Sequence, residues 1–335
     1  MKEIIYAIFL SFFLCGLCGN AEAKKKKEVK KAIKREVQTP YDKLFKGKKA
    51  FTVNGLMKMH LMAGKVYAEF PIELLNRDLA LTSSIEDISD NGEGVVGQFA
   101  GRVNQFRFTL QDSMLQARLV RRYGVKNTGM GKNADQIIER SNTPGIFQSY
   151  KILAYTPDKK AVVVDMTELF LESSRLTNPF PSYAGNSLYG FVQRIHKFQS
   201  QRSELLGICG NDNSMSVRCN LGFNVDRLVL GSFMQAKDVP VSVTVNKILM
   251  LLPEDPMRPR LADSRIGVNA IIQTELPDVC QGIKTYYITK RWRIEPVDEI
   301  RYKQGEMVDV KKPIVFYIDT LMPDSWIKYV KAGAE

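Results

Sequence analysis

Short apolar runs bounded by turn residues recur along most of this chain, and they limit it to a small set of folds. Runs of this kind are typical of antiparallel strands joined by tight turns. The clearest case follows Tyr155, where Pro157 and Asp158 initiate a turn and the valines from Val162 to Val164 resume a strand. Strands are predicted at residues 55–70, 79–85, 94–99, 103–110, 114–121, 148–156, 161–165, 217–225, 228–235, 239–251, 267–273 and 284–293.

Helix signals are fewer than strand signals. A short helix is predicted at residues 165–171, and a second at 186–201, where apolar residues recur at helical spacing from Leu188 to Phe198. A third is predicted from residue 323, because Pro-Asp-Ser is a typical helix start.

The last part of the chain carries apolar side chains that no later element covers. Residues 313–318 form a continuous apolar run, which is typical of a buried strand in a mixed sheet. In the helix that follows, Trp326, Tyr329 and Val330 form one apolar face. We therefore predict a β-dominated α+β fold with antiparallel sheets and a few short helices, ending in an incomplete α/β segment.

The N-terminus has the three parts of a secretory signal peptide: Lys2, an apolar core at residues 4–18, and the cleavage site Ala21-Glu22-Ala23. The core is shorter than the roughly 20 apolar residues of a transmembrane helix, so no transmembrane span is expected. A lipid anchor on Cys15 or Cys18 is the alternative, but leucine rather than a small residue precedes each cysteine. We expect an exported protein, whether periplasmic, on the outer surface or secreted.

A basic leader follows the signal. The formal net charge of the chain is +12, and lysine and arginine are concentrated at residues 24–35. No aromatic residues interleave this run to stack on bases, so we expect a solvated, disordered leader and no nucleic-acid partner.

Three cysteines remain after the signal. Cys209 and Cys219 flank the turn-rich segment 210–213, which could bring the two sulfurs within bonding reach. A disulfide between them and two free thiols are both open, and a buried thiol is expected for Cys280.

Residues that carry chemistry are scarce. His60 and His196 are the two histidines, and no His-Glu-x-x-His segment is present. The Gly-x-Gly-x-x-Gly pattern at residues 92–97 leads into a predicted strand rather than a helix, so a hairpin turn is favoured over a nucleotide site. We predict no catalytic residue and no metal ligand in this chain.

A loop rich in proline offers the one candidate for partner binding. Pro179, Phe180, Pro181 and Tyr183 place aromatic rings between prolines. They could contact a protein or a glycan, or they could pack over a sheet edge.

Five segments together resemble one family. They are Tyr41-Asp42-Lys43-Leu44-Phe45-Lys46-Gly47, residues 161–172 with Asp165-x-Thr167-x-Leu169-Phe170, Asp263-Ser264-Arg265-Ile266-Gly267, Arg291-Trp292-Arg293-Ile294-Glu295, and Lys312-Pro313-Ile314-Val315-Phe316-Tyr317-Ile318-Asp319. The family that they resemble is the exported bacterial zinc-dependent metallopeptidases of metzincin type, in which a long region of once-unknown function precedes the catalytic domain. The resemblance implies that the run at 313–318 and the helix after it open the peptidase domain, and that zinc is bound further on. This sequence ends before any zinc ligand of the family, so no catalytic residue carries over.

The resemblance sets the expected organisation and function. We expect a signal peptide at 1–23, the basic leader at 24–38, a β-ribbon segment at 39–90, a β-rich domain at 91–295 and a truncated peptidase-like start at 296–335. The expected function is the non-catalytic N-terminal region of a secreted zinc metallopeptidase, inactive by itself, without a cofactor of its own. It would shield or orient a protein or peptide substrate for a catalytic domain absent from this chain. The alternative is a stand-alone exported module that binds a protein or glycan.

Overall fold

The computed structural model describes residues 38–101, 103–120, 125–128, 132–174, 176–180, 192–229, 233–277 and 284–334. The predicted signal peptide and the basic leader up to residue 37 lie outside them. The chain divides into two compact units, the first formed by Met1–Val120 with Gly145–Leu252 and the second by Arg121–Pro144 with Pro253–Glu335.

Strands form most of the regular structure among the described residues. The strands are β1 Phe51–Val53, β2 Lys58–Met62, β3 Lys65–Pro71, β4 Asp78–Ile88, β5 Asn104–Gln111, β6 Met114–Leu119, β7 Val125–Thr128, β8 Gly145–Tyr155, β9 Ala161–Asp165, β10 Val192–Asn211, β11 Ser214–Val229, β12 Phe233–Leu251, β13 Ala270–Pro277 and β14 Lys284–Thr289. The helices are α1 Pro40–Phe45, α2 Lys132–Ser141, α3 Thr167–Leu171, α4 Glu299–Lys303 and α5 Asp324–Ala334, and a 3-10 turn spans Ile72–Leu74. The predicted β-dominated fold with few short helices is confirmed.

The first unit is built on an 11-stranded sheet with the order β1-β2-β3-β9-β8-β6-β5-β4-β12-β11-β10. Every neighbouring pair in it is antiparallel. The sequence of β11 explains why it is a strand. Its odd-numbered residues from Met215 to Phe223 are buried and alternate with more exposed positions. This alternation is the period of a strand with one face in a core.

The large sheet curls around its principal core. One cluster of buried residues contains Met59 of β2, near one end of the strand order, and Ile208 of β10, at the other end. Phe70 and Phe108 meet in the same cluster with ring centroids 4.8 Å apart, and Phe170 of α3 is buried there too. Strands that are distant in the sheet therefore share one apolar interior.

The tip of the β10–β11 hairpin fits tightly against the segment before β2. The Leu56 amide donates to the Asn211 carbonyl oxygen at 2.7 Å. A Cβ atom added to Gly55 would lie 2.8 Å from that oxygen and 2.8 Å from the sulfur of Met215. Only glycine leaves room for this approach.

The second unit holds a small sheet with the order β14-β13-β7, in which β13 pairs antiparallel with β14 and parallel with β7. Among its described residues from 253 onward, no side chain is buried. Helix α5 begins at Asp324, close to the predicted start. The predicted strand at 313–318 is not formed, and Phe316 and Tyr317 are 67% and 93% exposed.

Other predicted elements also differ from the structure. The strand predicted at 228–235 is divided between the end of β11 and the start of β12. Residues 94–99 form turns with a single bridge between Ser84 and Phe99, not a strand. Residues 192–201 of the predicted helix belong to β10, and the start of that helix lies outside the described residues. Among the described helices, none is long and apolar enough to cross a membrane.

Candidate functional site

An open cavity of about 880 Å³ lies in the first unit, between α1, the segment before β2, the 3-10 turn and the turn that joins β8 to β9. Its size falls within the usual range of about 300–1,000 Å³ for small-ligand sites. Charged and apolar side chains both reach it, among them Tyr41, Leu56, Lys58, Glu69 and Ile72.

Local hydrogen bonds fix the walls of the cavity. Helix α1 begins with a capping box, in which the Thr39 hydroxyl accepts from the Asp42 amide at 3.1 Å and the Asp42 carboxylate accepts from the Thr39 amide at 3.1 Å. On the opposite wall, the Ala161 amide donates to the Thr156 hydroxyl at 3.0 Å. The turn is joined to the 3-10 turn by the Ile72 amide, which donates to the Lys160 carbonyl oxygen at 2.9 Å.

Glu69 on β3 is the centre of the site. Its Oε1 accepts from the Tyr41 hydroxyl at 2.6 Å and from His60 Nε2 at 2.9 Å, and the Lys58 ammonium lies 3.3 Å away. The other ring nitrogen of His60 is 2.8 Å from the Thr52 hydroxyl. A carboxylate only accepts hydrogen bonds, so this arrangement assigns a proton to His60 Nε2.

These contacts keep Glu69 charged. Burial raises its pKa, but the hydrogen bonds from His60 and Tyr41 and the charge of Lys58 outweigh burial, so the pKa is lowered overall. Burial and the bond to Glu69 raise the pKa of Tyr41. The site is therefore an ionised carboxylate beside a protonated phenol, which suits it to hydrogen bonding rather than to proton transfer at neutral pH.

A second buried carboxylate, Glu93, lies in the turn after β4. It accepts from His196 Nε2 at 2.8 Å and from Arg227 Nε at 3.0 Å, and Arg194 Nε is 3.2 Å away. Burial raises the pKa of Glu93, but the bonds from His196 and Arg227 outweigh it and lower the pKa. This cluster joins the turn to β10 and β11, so we assign it a structural role.

The predicted partner-binding loop is only partly described. Pro179 and Phe180 are buried, and the Phe180 ring stacks on His196 with centroids 4.0 Å apart. Neither residue is free to contact a partner, because both are buried. The Phe180 ring fills the space beside the Glu93 cluster. Pro181 and Tyr183 lie outside the described residues.

Of the two open alternatives for Cys209 and Cys219, the structure has the free thiols and no disulfide. Cys209 and Cys219 are both free, the first exposed and the second buried. Cys209 pairs with Ser216 and Cys219 with Leu205, so the two side chains point to opposite faces of the sheet. The Cys219 thiol donates instead to the Phe170 carbonyl oxygen at 3.3 Å. Cys280 lies outside the described residues.

No group of three or more potential metal ligands occurs among the described residues. His60 and His196 lie in the two separate carboxylate clusters. The sequence reasoning missed Glu69, Tyr41 and Glu93. A signal for Glu69 was present, since a lone carboxylate between Ala68 and Phe70 in an apolar strand must be paired if that strand is buried.

Two family models match the chain. The domain of unknown function DUF5118 matches residues 38–88, and the domain of unknown function DUF5117 matches residues 97–297. The second match covers more than half of the sequence, so the chain belongs to the DUF5117 family. No curated protein and no solved structure matches it.

Proposed function

We propose that this chain is the non-catalytic N-terminal region of an exported zinc metallopeptidase and that it shields or orients the substrate. Zinc and the catalytic groups would belong to a domain outside these 335 residues. The family descriptions name no activity, so the proposal rests on the sequence resemblance and on the surface of the second unit.

The observation that carries the proposal is an uncovered apolar surface at residues 313–330, which we call the 313–330 segment. Phe316, Tyr317, Leu321 and Trp326 are 67%, 93%, 90% and 62% exposed. Soluble proteins seldom leave such a concentration of large apolar side chains in water unless it contacts another surface. Aromatic side chains are also the usual anchors of protein interfaces.

The first test concerns activity. The exported chain, residues 24–335, is purified and its zinc content and its cleavage of a denatured protein are measured. We expect no stoichiometric zinc and no cleavage, because hydrolysis by zinc needs three protein ligands and a general base. Stoichiometric zinc together with activity would overturn the proposal.

The second test concerns the partner. We expect the DNA that follows codon 335 to encode a His-Glu-x-x-His segment, and the polypeptide that contains it to co-purify with this chain when the two are coexpressed. Trp326→Ala should reduce co-purification. Trp292→Ala is the matched control, because Trp292 is 63% exposed in the same unit but lies outside the 313–330 segment. Equal effects of the two substitutions would remove the segment from the interface.

The alternative is a stand-alone exported module that binds a protein or glycan, and the cavity beside Glu69 is the observation that favours it. Downstream DNA that encodes an unrelated protein would support this alternative.

A further inference from the structure

Glu69, which lines the cavity, has one carboxylate oxygen that is suited to a ligand. All three donors of the Glu69 cluster are directed to Oε1, and the described part of the chain offers Oε2 no hydrogen-bond donor. Glu69 lines the cavity although the residue is only 8% exposed. An ionised carboxylate oxygen in such a place accepts hydrogen bonds and donates none. A ligand of this cavity must therefore bring a donor.

The charges around the cavity favour a neutral donor over a cationic one. Lys58 already lies 3.3 Å from Glu69 Oε1. A second ammonium at Oε2 would be close to the first, and like charges at short range repel. The rest of the lining is balanced, since Glu73 and Asp158 are matched by Lys159 and Lys160. A hydroxyl group satisfies Oε2 without adding charge.

Apolar side chains also line the cavity. Leu56, Met57, Pro71, Ile72 and Pro157 line the cavity between the charged groups. A sugar ring combines an apolar face with hydroxyl groups at its edge, and it can use both kinds of wall at once. The lysines at the rim can donate to ring and hydroxyl oxygens.

From this geometry we infer that the cavity binds a neutral carbohydrate, with Glu69 Oε2 accepting a hydrogen bond from a sugar hydroxyl and the apolar wall receiving the ring. Such a site would exist whether or not the chain serves a peptidase. The carbohydrate site and the proposed peptidase function can therefore be refuted separately.

The test measures binding to the exported chain, residues 24–335, by isothermal titration calorimetry and saturation-transfer NMR. The probes are maltotriose, chitotriose and mannotriose, with the peptide Gly-Lys-Gly as the cationic comparison. We expect at least one trisaccharide to bind and the peptide not to bind. Binding of the peptide alone, or of none of the four probes, would overturn the inference.

Two variants locate the binding. Glu69→Gln should weaken it about tenfold or more, since a hydrogen bond to a charged group is lost. Because this change also disturbs the bond to His60, a second variant, Ile72→Arg, fills the cavity from its 38% exposed rim and should abolish binding. Val103→Arg, at a 64% exposed position that does not line the cavity, is the control. Folding of each variant is checked by circular dichroism, and trisaccharide binding that survives Ile72→Arg would place the ligand elsewhere.

Discussion

Replacing Lys247 with methionine should remove a pH dependence from the stability of the first unit. Lys247 lies on β12, is 1% exposed, and donates from Nζ to the Glu172 carbonyl oxygen at 2.8 Å. The buried thiol of Cys219 and the carboxylate of Glu172 are the titratable groups that act on it. Burial lowers the pKa of Lys247 to about 8, because the charged form loses its hydration.

The sign and size follow from the two protonation states. Between pH 8 and the usual lysine pKa of 10.5, the unfolded Lys247 holds a proton that the folded one has released. Stability rises with pH wherever the unfolded state binds more protons. The difference between the two pKa values corresponds to about 3 kcal/mol, gained as the pH rises across this window. Below pH 8 the folded chain carries the full cost of the buried charge.

The assay is urea denaturation of the wild-type chain and of Lys247→Met at several pH values from 7.5 to 10.5. The tyrosines Tyr41 and Tyr150, whose pKa values burial raises, are present in both proteins, so their effects cancel in the difference. We expect the free energy of unfolding of the wild type, relative to the variant, to increase by about 3 kcal/mol across the window.

A matched control is Lys151→Met on β8, where the lysine is exposed. It removes the same charge without removing a buried one, and its difference from the wild type should stay flat with pH. If the Lys247→Met difference is equally flat, Lys247 is hydrated in solution and the reasoning from burial is refuted.

Three further predictions concern packing and local stability. Gly55→Ala should destabilise the first unit by about 1–3 kcal/mol in urea denaturation, since its Cβ would meet backbone, whereas Gly145→Ala, with no atom within 4 Å of its Cβ, should not. Glu93→Gln should lower the free energy of unfolding by about 3 kcal/mol, because His196 and the arginines that pair with Glu93 lose a buried carboxylate. Glu306→Gln, in an exposed ion pair, should lower it by under about 1 kcal/mol in the same assay. In hydrogen exchange followed by mass spectrometry, the amides of α5 should exchange much faster than those of β11, and equal protection would mean that the exposed surface of the second unit is covered in solution.

Where the burial pattern follows hydrophobicity, the sequence predicts the fold well. Strand β11 alternates apolar and polar residues, and its predicted core, residues 217–225, is confirmed. The turn at 210–213 is also found, between β10 and β11. The faces on which Cys209 and Cys219 lie depend instead on the register of the hairpin, which a turn sequence alone does not determine.

Where buried positions are charged, the same reasoning fails. In β10 the more buried positions include Arg194 and His196, while Ile195 between them is 40% exposed. The apolar residues of this segment, taken alone, have helical spacing, and for this reason the sequence predicted a helix. Arg194 and His196 can be half-buried because Glu93, about 100 residues earlier in the chain, pairs with both of them. A local pattern contains no information about so distant a partner.

The candidate site was missed for the same reason. Glu69 receives its hydrogen bond from Tyr41, 28 residues away, and the cavity beside it forms only when α1 and the β8–β9 turn come together. The sequence could indicate that a carboxylate in an apolar strand needs partners. It could not identify those partners, because they come from two other elements, α1 and β2, whose positions beside β3 a local pattern does not give.

Both histidines of this chain make the same kind of hydrogen bond, and this bond limits their use as metal ligands. His60 donates from Nε2 to Glu69, and His196 from Nε2 to Glu93, and both glutamates are buried. For either imidazole to bind zinc through that nitrogen, it would first have to give up its hydrogen bond to a buried carboxylate, at a cost of about 1.5–3 kcal/mol for a bond to a charged group. Neither histidine is therefore a favourable zinc ligand through Nε2 in this fold. The two histidines would serve to hold the walls of the first unit in place.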